Sequence, residues 1–562
     1  MRKGLVLGLM LALAGWAIAA DYTGADIDVS ALSEEAAAVG RIVSVRVRER
    51  MASPAAEGRK LKFVFALDPS LGGDEARVEV RDGVARIRGA RPRALLYGAG
   101  VLLRQIRWQG ATFRVEDGDW SFSPKSALRI AYLARHFHNW YEMATEDELA
   151  RYVEDLVLWG VNGVHVVFGG FYGVASFERY PSTEAERREL AMTVGLVRRI
   201  RSLDLDFHGS LVGNTVPEKF LTESQRAVPN ADLRRHPTPG NLCPSAPGAV
   251  DLICRELRTA FRGMKEAGLK VDYFRSWPYD SGGCGCAACR PWGSNGYLKY
   301  VGPAMDVVRE FFPEAKFVIS TWYFSDADWK GAFYGWLARH PEVRYILVDD
   351  YYKYPLPTYP IDNPPPNGIG IVTFPEISMA YHSPWGGKGA NPYPMYLTAR
   401  LRETEGAALG FEYYSEGIFE DLNKAVVSTV YAQKGPPRYR QALDEYARYE
   451  LGIDDADAFA ELVRQLEGNL QKPNAKDSAN ALAIAKRLDA AMKPMFAGCW
   501  RWRILYLRAV IDYGLTHAAD GGADVGMAYS ELVEIYKAEK TPGEYGDLNH
   551  RQVRPPAPPP RP

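Results

Sequence analysis

Carboxylate and aromatic side chains follow directly after several short apolar segments of this 562-residue sequence. The acidic members of this set are Asp280, Asp349, Asp350, Glu376, Glu412 and Glu416. The other members are Arg135, His136, His138, Asn139, Trp140, Trp277, Tyr279, Trp322, Tyr351, Trp385 and Tyr414. Two neighbouring carboxyl groups can cleave a glycosidic bond, because one protonates the leaving oxygen while the other stabilises or attacks the oxocarbenium-like centre. Aromatic rings pack against the C–H faces of sugars, so the set favours chemistry on a carbohydrate.

Asp280 is the candidate general acid, because it ends an apolar segment and is followed by Ser281-Gly282-Gly283, a turn that would expose its side chain. Glu376 is the candidate second carboxylate, acting as nucleophile or base. The alternative for Asp280 is a cap on the glycine-rich loop, and the alternative for Glu376 is a structural salt bridge to an arginine such as Arg135.

Asp349, Asp350 and Glu416 compete for the second catalytic role. Asp349 and Asp350 are adjacent, so their side chains should diverge and only one should face a pocket. Glu412 is either a substrate contact or a charge inside the fold. We interpret the remaining polar and aromatic members as substrate contacts, including the two histidines, which a metal-ligand interpretation would also accommodate.

A cysteine cluster follows the candidate acid in the segment Cys284-Gly285-Cys286-Ala287-Ala288-Cys289. Cys243 could provide a fourth sulfur. Disulfide bonds, a structural Zn²⁺ site and free thiols are all compatible with this spacing. We expect no cofactor, and the sequence lacks the glycine-rich phosphate loop, the Gly-x-Ser-x-Gly elbow and the His-Glu-x-x-His helix, which argues against phosphoryl transfer, serine hydrolysis and zincin chemistry.

The segments that must position these residues alternate between strand and helix patterns. The candidate strands are 128–133, 163–168, 206–211, 271–277, 316–322, 343–348, 368–374 and 407–413, and the helices are 146–159, 184–200, 250–267, 298–312, 329–339 and 393–405. Such alternation predicts parallel strands with helical crossovers, and eight strands in this length predict an α/β fold of the (β/α)8 TIM-barrel type over residues 126–434. A doubly wound open sheet is the alternative. In a barrel, the C-terminal strand ends would bring the candidate residues together.

Smaller regions flank the predicted barrel. Residues 21–125 are predicted to form a small α/β domain, with strands at 62–67 and 76–87, a turn at Asp82-Gly83 and a helix over 93–106. Helical patterns at 438–451, 457–470, 478–492 and 503–517 predict a helical domain over 435–550. The proline-rich tail 551–562 is predicted to be extended.

Composition and the N-terminal segment limit the partners. Residues 1–20 have a basic start, an apolar run and small residues at the end, which predicts a secretory signal and a periplasmic or extracellular protein with no membrane segment after cleavage. The 68 Lys and Arg against 69 Asp and Glu provide no basic field for nucleic acid. We therefore expect a carbohydrate as partner, and the sequence does not indicate an oligomeric state.

Residues 89–104, GARPRALLYGAGVLLR, resemble the small domain that precedes the barrel in bacterial β-hexosaminidases and α-glucuronidases, glycoside hydrolase families 20 and 67. The three-part layout is also similar to families 84, 89 and 163, the last of which has an acidic end of strand four followed by a cysteine-rich loop. The resemblance implies a glycoside hydrolase whose acid follows strand four and whose partner carboxylate lies near strands six and seven. This matches Asp280 paired with Glu376 or with Asp349 or Asp350.

One departure from these families concerns the mechanism. Hexosaminidases that use the acetamido group of their own substrate generally carry two adjacent acids after strand four, whereas this sequence has Tyr279-Asp280 there. The alternatives from other classes are a non-catalytic carbohydrate-binding protein on the same scaffold and a polysaccharide lyase that uses His138 or a tyrosine as base.

Overall fold

The computed structural model describes residues 21–34, 36–52, 57–135, 140–167, 169–171, 173–211, 213–230, 237–278, 283–350, 358–377, 390–415, 417–432, 439–470, 474–517 and 525–537. The predicted signal and proline-rich tail lie outside these ranges. In the described residues no helix is long and apolar enough to cross a membrane.

The N-terminal region is a mixed sheet with two helices. Its strands are β1 (Gly24–Asp28), β2 (Lys60–Leu67), β3 (Ala76–Arg81), β4 (Val84–Gly89), β5 (Arg107–Trp108), β6 (Phe113–Arg114) and β7 (Gly118–Phe122), and its helices are α1 (Ala38–Glu49) and α2 (Pro92–Gln105). The main sheet has the order β1-β2-β4-β3-β7, and β5 pairs with β6. The predicted turn joins β3 to β4, where Asp82 and Gly83 both have positive φ, as a tight hairpin requires. The sequence patterns missed β1, α1 and β7.

The central region is a closed parallel barrel, as predicted. Its strands are β8 (Leu128–Ala134), β9 (Gly163–Val167), β10 (Asp206–Leu211), β11 (Tyr273–Ser276), β12 (Lys316–Ser320), β13 (Val343–Asp350), β14 (Gly370–Pro375) and β15 (Ala408–Tyr413), closed by the pairing of β15 with β8. Every residue of β8, β9 and β14 is buried. Strands that are covered on both faces are nearly continuous apolar runs, and in these three only Arg129, His165 and Thr373 are polar.

Helices surround the barrel. They are α3 (Trp140–Met143), α4 (Glu146–Leu158), α5 (Glu184–Ser202), α6 (Ala249–Glu266), α7 (Tyr297–Phe311), α8 (Asp326–Trp329), α9 (Phe333–Ala338), α10 (Tyr359–Asp362), α11 (Pro394–Thr404) and α12 (Asp421–Val430). The single helix predicted over 329–339 is wrong. The chain instead forms α8 and α9, because Ser325 and Asp328 make a capping box for α8, and Gly331 lies where a Cβ atom would be 2.3 Å from Ser294 Oγ.

The C-terminal region is helical, with α13 (Tyr439–Glu450), α14 (Ala456–Gly468), α15 (Ala475–Ala490), α16 (Trp500–Thr516) and α17 (Val525–Ile535). The first four agree with the predicted helical segments, and α17 was not predicted. Helix α13 contacts α2 of the N-terminal region through an ion pair in which Arg104 Nε lies 2.7 Å from Glu445 Oε2. The C-terminal helices therefore contact the N-terminal region, across the intervening barrel sequence.

Helix α2 also packs closely against the barrel. At Gly100, an added Cβ would lie 1.9 Å from the carbonyl oxygen of Leu158 at the end of α4, so only glycine fits there. The same carbonyl accepts a hydrogen bond from Arg104 Nη1 at 2.6 Å. These contacts fix α2 on the end of α4.

Buried ion pairs join all three regions around α4. We call Arg46, Asp155, Asp421, Glu450 and Arg501 the central ion network. Asp155 lies 2.7 Å from Arg46 of α1 and 3.0 Å from Arg501 of α16, and Arg501 lies 2.7 Å from Asp421 of α12. Burial raises the pKa of Asp155, but the charges of Arg46 and Arg501 outweigh burial and hold it below its usual value.

Replacing Arg501 with Met should lower the free energy of unfolding by about 3–5 kcal/mol, because Asp155 and Asp421 would remain buried without their shared cation. Urea unfolding at neutral pH measures the change. The matched control is Arg487→Met on α15, where the ion pair with Asp455 is 60% and 47% exposed and should contribute at most about 1 kcal/mol. Equal losses from the two variants would contradict the role assigned to the network.

Glu256 of α6 gives a prediction about pH. It is 4% exposed, and burial raises the pKa of its carboxyl from 4.5 to about 8, although it accepts the N–H of Val174. Between these two values the folded protein keeps the proton that the unfolded chain releases, so this group's contribution to stability falls as pH rises. Relative to Glu256→Gln, wild type should lose on the order of 3 kcal/mol between pH 5 and pH 8, measured by urea unfolding. A difference that is constant with pH would show that the folded carboxyl is ionised throughout.

Candidate active site

Glu376 follows β14 at the C-terminal end of the barrel. Its backbone is fixed on both sides, because Tyr414 N–H donates to the carbonyl of Pro375 at 3.0 Å and Ile377 N–H donates to the carbonyl of Tyr414 at 3.4 Å. The phenol of Tyr393 donates to the carbonyl of Glu376 at 2.6 Å. Glu376 is 1% exposed. The carboxylate chosen from the sequence thus lies buried on a rigid strand end.

Five rings from five barrel strands or their ends form one contact group, which we call the aromatic layer: Tyr132, Trp277, Trp322, Phe374 and Tyr414. Ring centroids are 5.4 Å apart for Tyr132 and Tyr414, and 5.2 Å for Trp277 and Phe374. Trp277 and Trp322 are nearly perpendicular at 6.4 Å. Glu376 is two residues beyond Phe374, so the strand period places both on the same face. The layer therefore lies beside the candidate carboxylate, on the N-terminal side along the strand.

The predicted aromatic contacts Trp277, Trp322 and Tyr414 all belong to this layer. Tyr132 and Phe374 were missed as site residues. Their signal was a large ring close to the C-terminal end of a buried strand, because Tyr132 is two residues before the end of β8 and Phe374 is one residue before the end of β14.

A polar group lies deeper in the barrel. His165 contacts Glu412 Oε1 through Nδ1 and Ser210 Oγ through Nε2, both at 2.8 Å, and Arg275 forms an ion pair with Glu412. His165, Arg275 and Glu412 have no exposed surface. The ring of Tyr132 lies 5.0 Å from that of His165 and connects this group to the aromatic layer.

The prediction that Glu412 contacts substrate is corrected by this arrangement. Its carboxylate faces the barrel interior and is taken up by Arg275 and His165, which is the alternative that the sequence left open. Burial lowers the pKa of His165 well below 6.5, and the charge of Arg275 lowers it further, so both effects favour the neutral imidazole. The group therefore holds strands β9, β11 and β15 together from inside.

Asp349, at the end of β13, holds the neighbouring strand end. Its Oδ2 accepts the N–H of Tyr323 at 2.9 Å, and Tyr323 has a φ of 60°, a left-handed conformation that non-glycine residues rarely adopt. Asp349 is half-buried. It thereby fixes the segment that follows Trp322.

The structure corrects the prediction for Arg135. Its guanidinium is 4% exposed and lies against α5, where Nη1 donates to Thr193 Oγ1 at 3.2 Å and Nη2 contacts Met192 Sδ at 2.9 Å. The guanidinium of Arg135 therefore packs between the barrel and α5. Trp140 is half-buried on α3, with its ring 5.7 Å from that of Tyr152.

Several predicted site residues lie outside the described part of the structure. They are His136, His138, Asn139, Tyr279, Asp280, Tyr351, Trp385, Glu416 and the side chain of Asp350. Their roles remain predictions from the sequence.

Asn423 of α12 was missed and links the chain on both sides of the segment 378–389. Its side-chain amide donates to the carbonyls of Ile377, at 3.2 Å, and Asn391, at 2.9 Å, and its oxygen accepts the N–H of Tyr393 at 3.2 Å. The neighbouring Lys424 is also buried, and burial lowers its pKa to about 8. The sequence did offer one signal for Asn423 and Lys424, because they are polar residues in the first turn of α12, which is otherwise largely apolar.

Lys424 holds the segment that follows β15. It donates to Tyr152 Oη at 2.9 Å and to the carbonyl of Gly417 at 2.7 Å, and it also contacts Tyr141 Oη. Tyr141 Oη in turn lies 2.7 Å from Ser415 Oγ. The strand ends that carry Glu376 and Tyr414 are therefore both anchored to α12.

The four cysteines grouped by sequence spacing also meet in space. The Sγ atoms of Cys243, Cys284, Cys286 and Cys289 all lie within 4.8 Å of one another. All six cysteines of the chain are in the described ranges and none forms a disulfide bond, so the disulfide interpretation is not supported by the geometry.

The fold resembles that of solved glycoside hydrolases. A family 89 enzyme from Clostridium perfringens, in complex with GlcNAc-α-1,4-galactose, has a TM-score of 0.61 and 11% identity, covering 90% of this chain and 64% of its own. A family 115 4-O-methyl-α-glucuronidase with specificity for decorated arabinogalactans has a TM-score of 0.56 and 10% identity, and the match covers 94% of this chain and 78% of that enzyme. A family 20 exo-β-N-acetylglucosaminidase from Vibrio harveyi has a TM-score of 0.50 and 11% identity, and the match covers 76% of this chain and 74% of that enzyme.

The predicted resemblance to families 20 and 89 is thus confirmed at the level of the fold. The resemblance to families 67, 84 and 163 stays a prediction. No family model matches the chain, and no curated protein matches it in sequence.

Replacing Asn423 with Ala should free the chain on both sides of residues 378–389, because two carbonyls and one N–H would lose their buried partner at about 1–3 kcal/mol each. Hydrogen–deuterium exchange at Tyr393 and its neighbours should become at least about tenfold faster. Asn363→Ala is the control, since its amide donates to the carbonyl of Tyr359 in α10 and, among the described residues, does not contact the chain beside residues 378–389. Unchanged exchange at Tyr393 would contradict the linking role of Asn423.

Proposed function

We propose that this protein is an exported glycoside hydrolase that cleaves a poly- or oligosaccharide by a two-carboxylate mechanism. The observation that carries the proposal is a buried carboxylate, Glu376, fixed on a strand end at the C-terminal face of a closed barrel and beside the aromatic layer. Barrel enzymes place their chemistry at this face. The fold shared with hydrolases of families 20, 89 and 115 supports the same reaction class.

Glu376 acts as nucleophile or base, and Asp280 acts as general acid. Burial of Glu376 suits this role, because an oxocarbenium-like centre is stabilised more strongly by a carboxylate that water does not screen. Asp280 follows Trp277 of the aromatic layer by three residues in the sequence. Asp349, Asp350 and Glu416 remain the alternatives for the second carboxylate.

The first substrates to test come from the neighbours with the same fold. One of them was solved with GlcNAc-α-1,4-galactose and another is an α-glucuronidase. We therefore propose an α-linked N-acetylglucosaminide or glucuronide at a chain end or side chain. The signal predicted over residues 1–20 supports action in the periplasm or outside the cell.

Replacing Asp280 with Asn, or Glu376 with Gln, should lower kcat on an activated aryl glycoside or a natural glycan by about 10²–10⁴-fold with folding intact. Circular dichroism and thermal unfolding check the fold, and reducing-sugar release measures kcat. Asp326→Asn is the control, since its side chain is 90% exposed on α8. Wild-type turnover in Glu376→Gln would exclude Glu376 as a catalytic residue.

A substrate screen separates this proposal from the other classes. Glycan binding without product release would indicate a carbohydrate-binding protein, and a product that absorbs in the ultraviolet would indicate a lyase. The anomer released from an active substrate, identified by nuclear magnetic resonance, distinguishes retention from inversion. The two catalytic carboxyl groups lie ~5–5.5 Å apart in retaining enzymes and ~6.5–9.5 Å apart in inverting enzymes.

A further inference from the structure

We propose that Cys243, Cys284, Cys286 and Cys289 bind one structural Zn²⁺ ion. The inference stands on the geometry of these four side chains and does not depend on the glycosidase activity. Cys243 precedes α6, and the other three follow β11, so the four come from two segments about 40 residues apart in the sequence. Cys243, Cys284 and Cys289 are buried, and Cys286 is half-buried.

The distances between the sulfur atoms fit a tetrahedral metal site, since all four lie within 4.8 Å of one another. Cys243 Sγ lies 3.7 Å from Cys286 Sγ and 3.7 Å from Cys289 Sγ. A tetrahedron with Zn–S bonds of about 2.3 Å has sulfur atoms about 3.8 Å apart. A disulfide needs about 2.05 Å, so the observed spacing is that of ligands around a common centre and not of bonded pairs.

The surroundings also suit a thiolate site, whose four charges exceed the charge of the ion by two. The N–H of Val228 donates to Cys284 Sγ at 3.4 Å, and the hydroxyl of Ser245 lies 3.1 Å from Cys289 Sγ. Lys299 Nζ donates to Ser245 Oγ at 2.7 Å and brings a positive charge to the site. Partners of this kind orient the ligands and offset their negative charge.

The choice of metal follows from ligand type and space. Sulfur ligands in a tetrahedral set select zinc or iron among the common metals. An iron–sulfur cluster must fit inorganic sulfide between its cysteines, and the four sulfurs here are too close together for one. Four protein ligands leave no open position for water or substrate, which is typical of a structural zinc site.

Binding forms four Zn–S bonds and displaces the protons of those thiols that are protonated, without any change in oxidation state. The ion would tie the loop after β11 to the segment that begins at Cys243. Trp277 of the aromatic layer is seven residues before Cys284, so one end of the intervening segment is held by the barrel and the other by the metal.

The test is the metal content of the purified full-length chain after dialysis, measured by inductively coupled plasma mass spectrometry. We expect one zinc per chain, released by a mercurial reagent as it titrates the thiols. Chelation of the ion should lower the thermal midpoint, and Zn²⁺ but not Mg²⁺ should restore it. Replacement by Co²⁺ should give the strong visible absorption of a tetrahedral thiolate complex, which requires no variant.

Variants locate the ion. Cys243→Ser and Cys289→Ser should lose bound zinc, whereas Cys254→Ser and Cys499→Ser, at cysteines outside the cluster, should keep one zinc per chain. Metal-free protein with free thiols, one iron per chain, or peptide mapping that finds disulfide bonds within the cluster would each overturn the proposal. If Cys243→Ser does not fold, the zinc stoichiometry and the cobalt spectrum of the wild-type protein still test the proposal.

Discussion

Charge neutralisation around Arg501 is the constraint on which the three-part assembly depends. This one guanidinium meets Asp155 from α4 and Asp421 from α12, while Arg46 of α1 meets Asp155 from the other side. Tyr152 and Tyr446 each donate a hydrogen bond to Asp421. A buried charge that loses its partner destabilises the fold strongly. Each of the three regions supplies a charge that the other regions neutralise, so the three regions stabilise one another.

The same helices that carry these charges position the rim of the barrel. Three near neighbours on α12 make these contacts. Asp421 belongs to the central ion network, Asn423 bonds to Ile377, Asn391 and Tyr393, and Lys424 holds the segment after β15. Helix α12 therefore contacts the central ion network through Asp421 and the residue next to Glu376, Ile377, through Asn423. The backbone at Glu376 is therefore positioned by contacts from β15, Tyr393 and α12.

The sequence was sufficient to predict the barrel and which strand ends carry polar residues, because parallel strands covered on both faces appear as uninterrupted apolar runs. It did not predict which way several side chains point. Arg135 and Glu412 both lie at strand ends in the sequence, yet one packs against α5 and the other faces the barrel interior. The direction of a side chain depends on the pleat of its strand and on partners from distant segments. The partners of Glu412, His165 and Arg275, did not stand out in the sequence pattern. The strands β1 and β7 were missed for the related reason that half-exposed edge strands carry a weak apolar signal.

The close contact at Gly100 and the shared ion network have a consequence for how such a chain can change over time. The N-terminal region depends on buried charges from the other regions and on a glycine at position 100, where a Cβ would lie 1.9 Å from a carbonyl of α4. An unrelated domain inserted by recombination would lack both features, so the region cannot be exchanged for one. The N-terminal sheet, the barrel and the C-terminal helices should therefore be inherited as one block. Diversity of specificity would then arise within the loops at the barrel rim and not by shuffling whole domains.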